Sequence, residues 1–313
     1  MTRIRVHNPR SMDVKYFRNY ELFWDRLTDR LRRSFEVDEN RPLNATSLGM
    51  SAPLKAALHG PLSLRECEYA IENLDNDEFV IMSLCDVSSH GMFNEHANPK
   101  LYRVLVAQYW PRMITDDAKD DAHKYHPWIY FPMDARDLDV WYYRRKWILP
   151  DNLINKLYFR GGVYDRPILA HFDLAVLEGP QALGTPDEYF DDVIRYRVGL
   201  SIGGKGEVCY RDIEYMAMGI PFIRFTYTTP LDPPLIPNYH YIAVPRPVDL
   251  YRDREGGAEH AQMIIRRYRE VYEAGVFLDF VAANARQYYL DYLAPYAVVE
   301  HTLKLLNIEE AWL

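Results

Sequence analysis

The chain has 313 residues, of which 48% are hydrophobic and 26% charged, so it is long enough for one large or two medium domains. Its net charge of −8 argues against a nucleic-acid coat protein and against general attraction to anionic membranes, since such proteins are usually basic. Its three cysteines are widely spaced and form no C-x-x-C pair, which predicts neither a zinc site nor a disulfide scaffold.

The N-terminal segment, residues 1–13, lacks the apolar core of a signal peptide. Nowhere in the chain is there a run of about 18 apolar residues, the length a membrane span needs. Together with the cysteine usage, these features lead us to expect a cytoplasmic protein with no transmembrane segment and no nucleic-acid partner.

The first part of the chain predicts a long helix, a loop and a short helix. Apolar residues at helical spacing predict an amphipathic helix over residues 16–35, which packs on a core. Residues 38–61 are polar and rich in turn formers, so we expect a loop. Ser63 and Glu66 form the S-x-x-E pattern of a capping box and predict a short helix that ends near Leu74.

An apolar run at residues 78–85 predicts a buried strand with Asp86 at its carboxyl end. Ligands bind outside the carboxyl ends of strands in open α/β sheets, so a carboxylate there is a candidate general base. The alternative is an Asp that caps a helix or turn. Residues 101–110 and 127–132 predict two further strands.

The loop between those two strands contains His123 and His126 among several aspartates. A metal site is one interpretation. A solvated loop is the favoured one, because the residues lack the periodic spacing of metal ligands.

The most informative stretch runs over residues 195–225. Residues 196–202 predict a buried strand, 203–206 a glycine turn, 212–218 a helix closed by Gly219, and 220–225 another strand. A glycine turn that opens a helix suits a phosphate, and Arg211 at the helix start is placed to pair with a diphosphate. The alternative is an ordinary βαβ turn.

A second glycine turn follows a predicted strand at residues 157–162, with Arg166 at the start of a helix. The two glycine turns, each with its arginine, could bind one diphosphate from two sides. The alternative is two unrelated loops with surface arginines. Beyond a proline-rich loop at residues 229–237, the chain predicts a strand over 239–245 and helices over 258–272, 277–289 and 298–306. This alternation predicts α/β layers in two halves that divide near residue 150.

Four of these segments occur in the order of one family. They are Leu74 to Phe79 leading to Asp86, Phe159-Arg160-Gly161-Gly162 with Arg166, Gly204 with Cys209-Tyr210-Arg211 and Gly219, and His240 to Val244 with Asp249-Leu250. In this order, over about residues 74–306, the chain resembles the protein O-glucosyltransferase and fungal capsule-associated glycosyltransferase family. The exostosin-type glycosyltransferases are similar over the central stretch.

The resemblance implies an α/β fold of the GT-B type, in which two Rossmann-like domains flank a nucleotide-sugar cleft. Residues 1–150 would form the acceptor-side domain and residues 151–290 the nucleotide-sugar-binding domain. The last segment, residues 291–313, would be a C-terminal helix that crosses back onto the first domain.

The resemblance also implies inverting transfer from a nucleotide-sugar, with a UDP-sugar favoured, to a hydroxyl of a glycan or glycoprotein, without a metal or other cofactor. Asp86 would be the general base. The residues implied for the donor are Arg160, Gly161, Gly162, Arg166, Gly203, Gly204, Lys205, Arg211, Glu214 and His240.

The chain departs from the family pattern in ways that bear on function. Cys209 and Gly162 replace serines, and the Cys209 change removes a good hydroxyl donor to phosphate. The family's secretory signal and disulfides are missing, so a bacterial or viral glycan acceptor is favoured over a secreted protein acceptor. A non-catalytic glycan-binding or scaffold protein is the main alternative. A nicotinamide oxidoreductase is disfavoured because G-x-G-x-x-G is missing.

Overall fold

The computed structural model describes residues 1–7, 14–40, 68–83, 100–106, 124–128, 138–160, 166–179, 185–203, 208–228, 231–247 and 257–313. The chain divides into two compact units. Unit 1 comprises Met1–Ala135, Thr229–Pro233 and Pro295–Leu313, and unit 2 comprises Arg136–Thr228 and Pro234–Ala294. Each unit has its own sheet with helices, which confirms the predicted α/β fold of two halves.

The first unit contains a six-stranded mixed sheet with the strand order β2-β1-β3-β4-β5-β6. Only β3 is antiparallel, and it runs against both of its neighbours, β1 and β4. The elements in chain order are β1 (Arg3–His7), α1 (Val14–Leu31), β2 (Glu36–Asn40), β3 (Glu68–Asn73), β4 (Phe79–Ser83), β5 (Leu101–Val106) and β6 (Tyr125–Pro127).

The second unit contains a five-stranded sheet in the order β11-β10-β9-β7-β8, in which every pair is parallel. Its elements are α2 (Asp139–Lys146), β7 (Ile154–Tyr158), β8 (Leu177–Glu178), α3 (Pro186–Val193), β9 (Tyr196–Leu200), α4 (Tyr210–Met218), β10 (Phe222–Phe225), β11 (Ile242–Val244), α5 (Gly257–Val271) and α6 (Gly275–Tyr288). Short 3₁₀ helices cover Pro150–Asn152 and Pro167–His171, and a π-helical turn covers Tyr289–Leu293.

The chain then returns to the first unit as α7 (Ala297–Leu306) and α8 (Ile308–Trp312). The indole N–H of Trp128 donates to the hydroxyl of Thr302 on α7 at 3.1 Å, within a core where Trp24 stacks on Tyr69. The indole N–H of Trp312 donates to Glu78 at 2.8 Å. These contacts bear out the expectation that the C-terminal helices pack on the first unit.

The central stretch folds as its sequence predicts. Strand β9, helix α4 and strand β10 follow one another, and Gly219 closes α4 in the left-handed conformation at φ 62°. The Tyr215 side chain of α4 crosses β9 at Gly199, and its hydroxyl donates to the carbonyl of Tyr158 at 3.1 Å. A single tyrosine therefore ties the helix to the sheet.

The predictions for the first part of the chain need correction. The helix predicted to end near Leu74 is wrong, because β3 occupies Glu68–Asn73 and pairs with strands on both sides. The loop predicted over residues 38–61 overlaps the end of β2, which covers Glu36–Asn40, and residues 41–61 lie outside the described residues. Strand β1 was not predicted. Helix α1 ends at Leu31 rather than Phe35.

Strand β11 begins only at Ile242, since Tyr239 and His240 form a turn, so the strand predicted from residue 239 starts later than expected. Strand β6 lies at Tyr125–Pro127 and includes only the first residue of the strand predicted over 127–132, of which residues 129–132 lie outside the described residues. Unit 2 begins at Arg136, and its helix α2 packs on α4. The domain boundary near residue 150 stays a prediction.

Replacing Gly199 by alanine tests the contact between α4 and the sheet. The new methyl group would lie 2.6 Å from the ring of Tyr215, which is buried and cannot move aside freely. We expect the free energy of unfolding to fall by about 1–3 kcal/mol, as overpacking a core does. Urea denaturation measures it.

The matched control is Gly275→Ala, whose methyl group would find its nearest neighbour, the Arg197 guanidinium, at 3.8 Å. This variant should be as stable as the wild type or slightly more so, because alanine is favoured over glycine in a helix. Equal stability of Gly199→Ala and wild type would contradict the packing described.

Candidate active site

The predicted donor residues of the second unit gather at the carboxyl edge of its parallel sheet. Arg160 follows the end of β7 by two residues, and Gly203 follows β9 by three. Arg166 directly precedes the 3₁₀ helix Pro167–His171, and Arg211 lies in the first turn of α4. Ligands of parallel α/β sheets bind at this edge, so the arrangement suits a ligand site.

Arg211 is held in place by a backbone oxygen rather than by a carboxylate. Its Nε and Nη2 atoms donate to the carbonyl of Arg160, at 3.1 and 2.7 Å. Its Nη1 is buried and makes no hydrogen bond to the residues that the structure describes. A buried donor without an acceptor is costly, so this nitrogen marks a position where an anion would be stabilised.

The ring of Phe159 connects the two arginines of the edge. The guanidinium of Arg211 lies 4.4 Å from the ring centroid and that of Arg166 lies 5.7 Å from it, both within cation–π range. Arg166 is also fixed by a backbone oxygen, because its Nε donates to the carbonyl of Ile202 at 3.1 Å. Two guanidinium groups thus keep their positive charge at one edge of the sheet.

The start of α4 is fixed by a buried ion pair. Asp212, fully buried, accepts from Arg224 on β10 at 2.5 Å and from the backbone N–H of Cys209 at 2.8 Å. The Cys209 thiol donates to the carbonyl of Ile202 at 3.4 Å, and burial raises its pKa, so the thiol stays protonated. The helix start therefore does not depend on a serine hydroxyl.

Glu214 lies one turn further along α4 and is engaged by a tyrosine. The hydroxyl of Tyr189 on α3 donates to Glu214 at 2.8 Å. Burial, followed by the charge of Glu214, raises the pKa of Tyr189 well above its ordinary value, so it remains a donor. Burial lowers the pKa of Arg211, but the charges around it, including that of Glu214, raise it overall.

The structure does not bring His240 to this edge. His240 lies in the turn before β11, at the amino end of that strand, and its Nδ1 accepts from the backbone N–H of Ile236 at 2.9 Å. Its ring contacts Tyr239 and Tyr288, and burial lowers its pKa. The sequence motif predicted a donor contact, but the strand direction places this side chain at the opposite edge of the sheet.

Five predicted residues lie outside the described residues: Asp86, Gly161, Gly162, Gly204 and Lys205. Their roles stay predictions. The strand expected to precede Asp86 is β4, which ends at Ser83.

Sequence reasoning missed a buried pair in the first unit. His7 Nε2 lies 2.5 Å from Glu72 Oε2, and both side chains are inaccessible to solvent. His7 is level with Ala70 and Ile81 in the sheet, and Glu72 is level with Phe79, so the pair lies beside the first half of β4. The alternating pattern Arg3-Ile4-Arg5-Val6-His7 was the available signal. Phe159 and Tyr189, which contact the arginines and Glu214, were missed as well.

Among the described residues, no group of three or more His, Cys, Asp or Glu side chains converges on a position that a metal ion could occupy. His123 lies outside them, whereas His126 lies on β6. Within the same ranges, no helix combines the length and apolar character required to cross a membrane.

Comparison with known proteins gives little beyond the fold. No family model and no curated protein matches the chain. Nine chains of solved structures match, among them the glycosyltransferase from Rickettsia africae ESF-5, with a TM-score of 0.44 and 11% sequence identity. The alignment covers 69% of this chain and 66% of that chain, slightly less than two thirds of it. A similarity of this strength assigns neither activity nor substrate, and the O-glucosyltransferase family stays a prediction.

The buried ion pair can be tested by removing one partner. Arg224→Met leaves the Asp212 carboxylate buried without its cation, and we expect the free energy of unfolding to fall by about 3–5 kcal/mol. The measurement is urea denaturation followed by circular dichroism.

The matched control is Arg144→Ala, which removes an arginine from the exposed pair with Asp191. Its loss should be about 0–1 kcal/mol. If Arg224→Met were no less stable than this control, the ion pair would not hold the start of α4.

Proposed function

We propose that the chain is a nucleotide-sugar-dependent glycosyltransferase that moves a hexosyl or pentosyl group to a hydroxyl of a glycan or glycoprotein. The observation that carries the proposal is the buried Nη1 of Arg211, which finds no hydrogen-bond acceptor among the described residues. This nitrogen lies at the carboxyl edge of a parallel sheet, beside a second arginine that shares the ring of Phe159.

A diphosphate fits this edge better than a single carboxylate does. Two guanidinium groups present planar pairs of donors, and each donates to a backbone carbonyl. For Arg211 this contact fixes direction without neutralising charge. The first turn of α4 adds backbone N–H groups and the positive end of a helix dipole. The departing nucleoside diphosphate gains negative charge in the transition state, so these groups favour its release.

The proposed chemistry is a single inverting displacement. Asp86 takes the proton of the acceptor hydroxyl, and the acceptor oxygen attacks the anomeric carbon from the face opposite the diphosphate. The bond between that carbon and the diphosphate oxygen breaks, and the nucleoside diphosphate leaves with the electron pair. Arg166 and Arg211 balance its charge, which makes a metal ion unnecessary in this proposal. A UDP-sugar is the favoured donor.

The replacement of a serine by Cys209 is compatible with the proposal. The thiol is engaged with the carbonyl of Ile202, so it fixes the loop rather than a ligand. Donation to phosphate then falls to the arginines and to backbone N–H groups. The same replacement is, however, the feature that favours a non-catalytic glycan-binding or scaffold protein as the second candidate.

A donor panel tests the proposal. UDP-, GDP-, dTDP- and CMP-sugars are incubated with the protein, nucleotide release is followed, and binding of the free nucleotides is measured by calorimetry. We expect one diphosphate donor to turn over and CMP-sugars to be inert, because they carry a single phosphate. Arg211→Gln should weaken binding of the nucleoside diphosphate about 10- to 100-fold, the effect of losing charge-assisted hydrogen bonds.

Two further variants separate binding from chemistry. Asp86→Asn should retain nucleotide binding and lower kcat by roughly 10²–10⁴-fold, as loss of a general base does. Arg266→Ala, an exposed arginine on α5, is the control and should change neither. Nucleotide binding without turnover of any donor would favour the scaffold, and absence of nucleotide binding would overturn the transferase.

A further inference from the structure

A cavity lies at the amino edge of the unit 2 sheet, opposite the edge that carries Arg211. Its lining includes Leu153 just before β7, Arg197 near the start of β9 and Pro221 just before β10. Its volume is about 480 Å³. The transferase chemistry proposed above makes no use of this cavity.

The cavity is strongly cationic. Four cationic side chains line it against a single carboxylate, and they are Arg145, Lys146, Arg197 and Arg286 against Asp279. The chain as a whole has a net charge of −8, so this concentration of positive charge departs from the average surface. Such a site concentrates anions by its local field.

Arg145 shows how that charge is retained. Its Nη1 donates to the carbonyls of Ile194 and Tyr196, at 2.6 and 2.8 Å. Carbonyl oxygens orient the guanidinium but carry no net charge to neutralise it. Burial lowers the pKa of Arg145 to about 10, against the opposing effect of Asp279, so the group stays charged at neutral pH.

The other cations of the cavity differ in how many contacts they make within the protein. Arg286 is tied down, since it donates to Asp139 and to the carbonyl of Ala217. Lys146 is exposed and lies over the ring of Tyr142. Arg197 makes only a long contact of 3.4 Å to Asn155 among its described hydrogen bonds. Lys146 and Arg197 are therefore the cations best placed to meet a ligand.

Three large apolar side chains that are exposed to solvent are chain neighbours of residues that line the cavity. Trp147, Leu149 and Val276 are 87%, 66% and 88% exposed, and each is the chain neighbour of a lining residue. An exposed tryptophan beside exposed aliphatic residues is unfavourable in water, and such clusters mark contact surfaces. Tryptophan in particular suits the boundary between water and lipid, where its ring is buried and its N–H stays hydrated.

We propose that this edge of unit 2 docks on an anionic bilayer, with a lipid phosphate in the cationic cavity and the exposed side chains in the lipid interface. A lipid has a phosphate group and apolar chains. The cavity would bind the phosphate group, and the exposed apolar side chains would contact the apolar chains. A soluble phosphate compound would use the cavity but leave Trp147, Leu149 and Val276 in water. The binding is peripheral, and it is independent of the proposed transferase activity.

The acidic net charge makes the docking directional. The net charge of −8 opposes general binding to an anionic surface, so attraction requires a local cationic patch such as the face that carries Lys146 and Arg197. Binding should consequently weaken as salt is added. The overall charge argued against general attraction to membranes, and a local patch does not conflict with that argument.

Vesicle co-sedimentation tests the proposal. The full chain is mixed with vesicles of phosphatidylcholine alone, or of phosphatidylcholine with about 30 mol% phosphatidylglycerol. Wild type should sediment with the anionic vesicles, and about 0.5 M salt should release it. The double variant Lys146→Ala with Arg197→Ala should bind about thirtyfold more weakly, and Trp147→Ala with Val276→Ala about tenfold more weakly.

Matched controls carry the same changes elsewhere in unit 2. Arg266→Ala with Arg269→Ala removes two exposed cations of α5, and Leu174→Ala removes an exposed apolar side chain. Both should bind vesicles as wild type does. Thermal unfolding of every variant shows that the changes, which affect solvent-accessible side chains, leave the fold intact.

Three outcomes would overturn the proposal. One is the absence of binding to anionic vesicles, and another is equal binding by the cavity double variant and the wild type. The third is stabilisation of the protein by inorganic phosphate without vesicle binding, which would assign the cavity to a soluble phosphate compound. The assay contains no nucleotide sugar, so its result does not depend on the transferase activity.

Discussion

The buried ion pair between Asp212 and Arg224 is the interaction on which the candidate site depends. It links the first turn of α4 to β10, and the same carboxylate accepts from the backbone of Cys209. Arg224 lies over the ring of Tyr227, so the cation is held from a second side. A buried charge tolerates few alternative arrangements, which makes such a pair a determinant of geometry more than of net stability. The direction of Arg211 follows from it.

The arginines of unit 2 fall into two kinds. Arg224 is neutralised by the carboxylate of Asp212 and stabilises the contact between β10 and α4. Arg145 and Arg211 instead donate to backbone carbonyls, which orient each guanidinium and leave its charge available. The carboxyl edge and the amino edge of one parallel sheet are thereby both electropositive, although the chain is acidic overall. An acidic chain can therefore have two cationic edges on one sheet. Carbonyl oxygens near the ends of strands orient the arginines there without neutralising them.

The sequence predicted best where local chemistry was unambiguous. The glycine turn, the buried strands and Gly219 fixed β9, α4 and β10 closely. The strands β1 and β2 were not predicted because many of their residues are charged. Their place in the sheet depends on pairing with other strands, which no local sequence pattern reveals. The capping-box residues Ser63 and Glu66 predicted a helix where strand pairing imposed β3. Which side chains share an edge depends on strand direction, so Arg166 and Arg211 meet whereas His240 does not.

The return of α7 and α8 to the first unit has a consequence for how the protein is made. The core around Trp128 includes Thr302, and Trp312 binds Glu78, so the first unit lacks part of its interior until the last described helices have emerged from the ribosome. Unit 2 lies between these segments and can assemble earlier. Before α7 and α8 are available, the apolar core of the first unit is incomplete, and such an incomplete core is prone to aggregation.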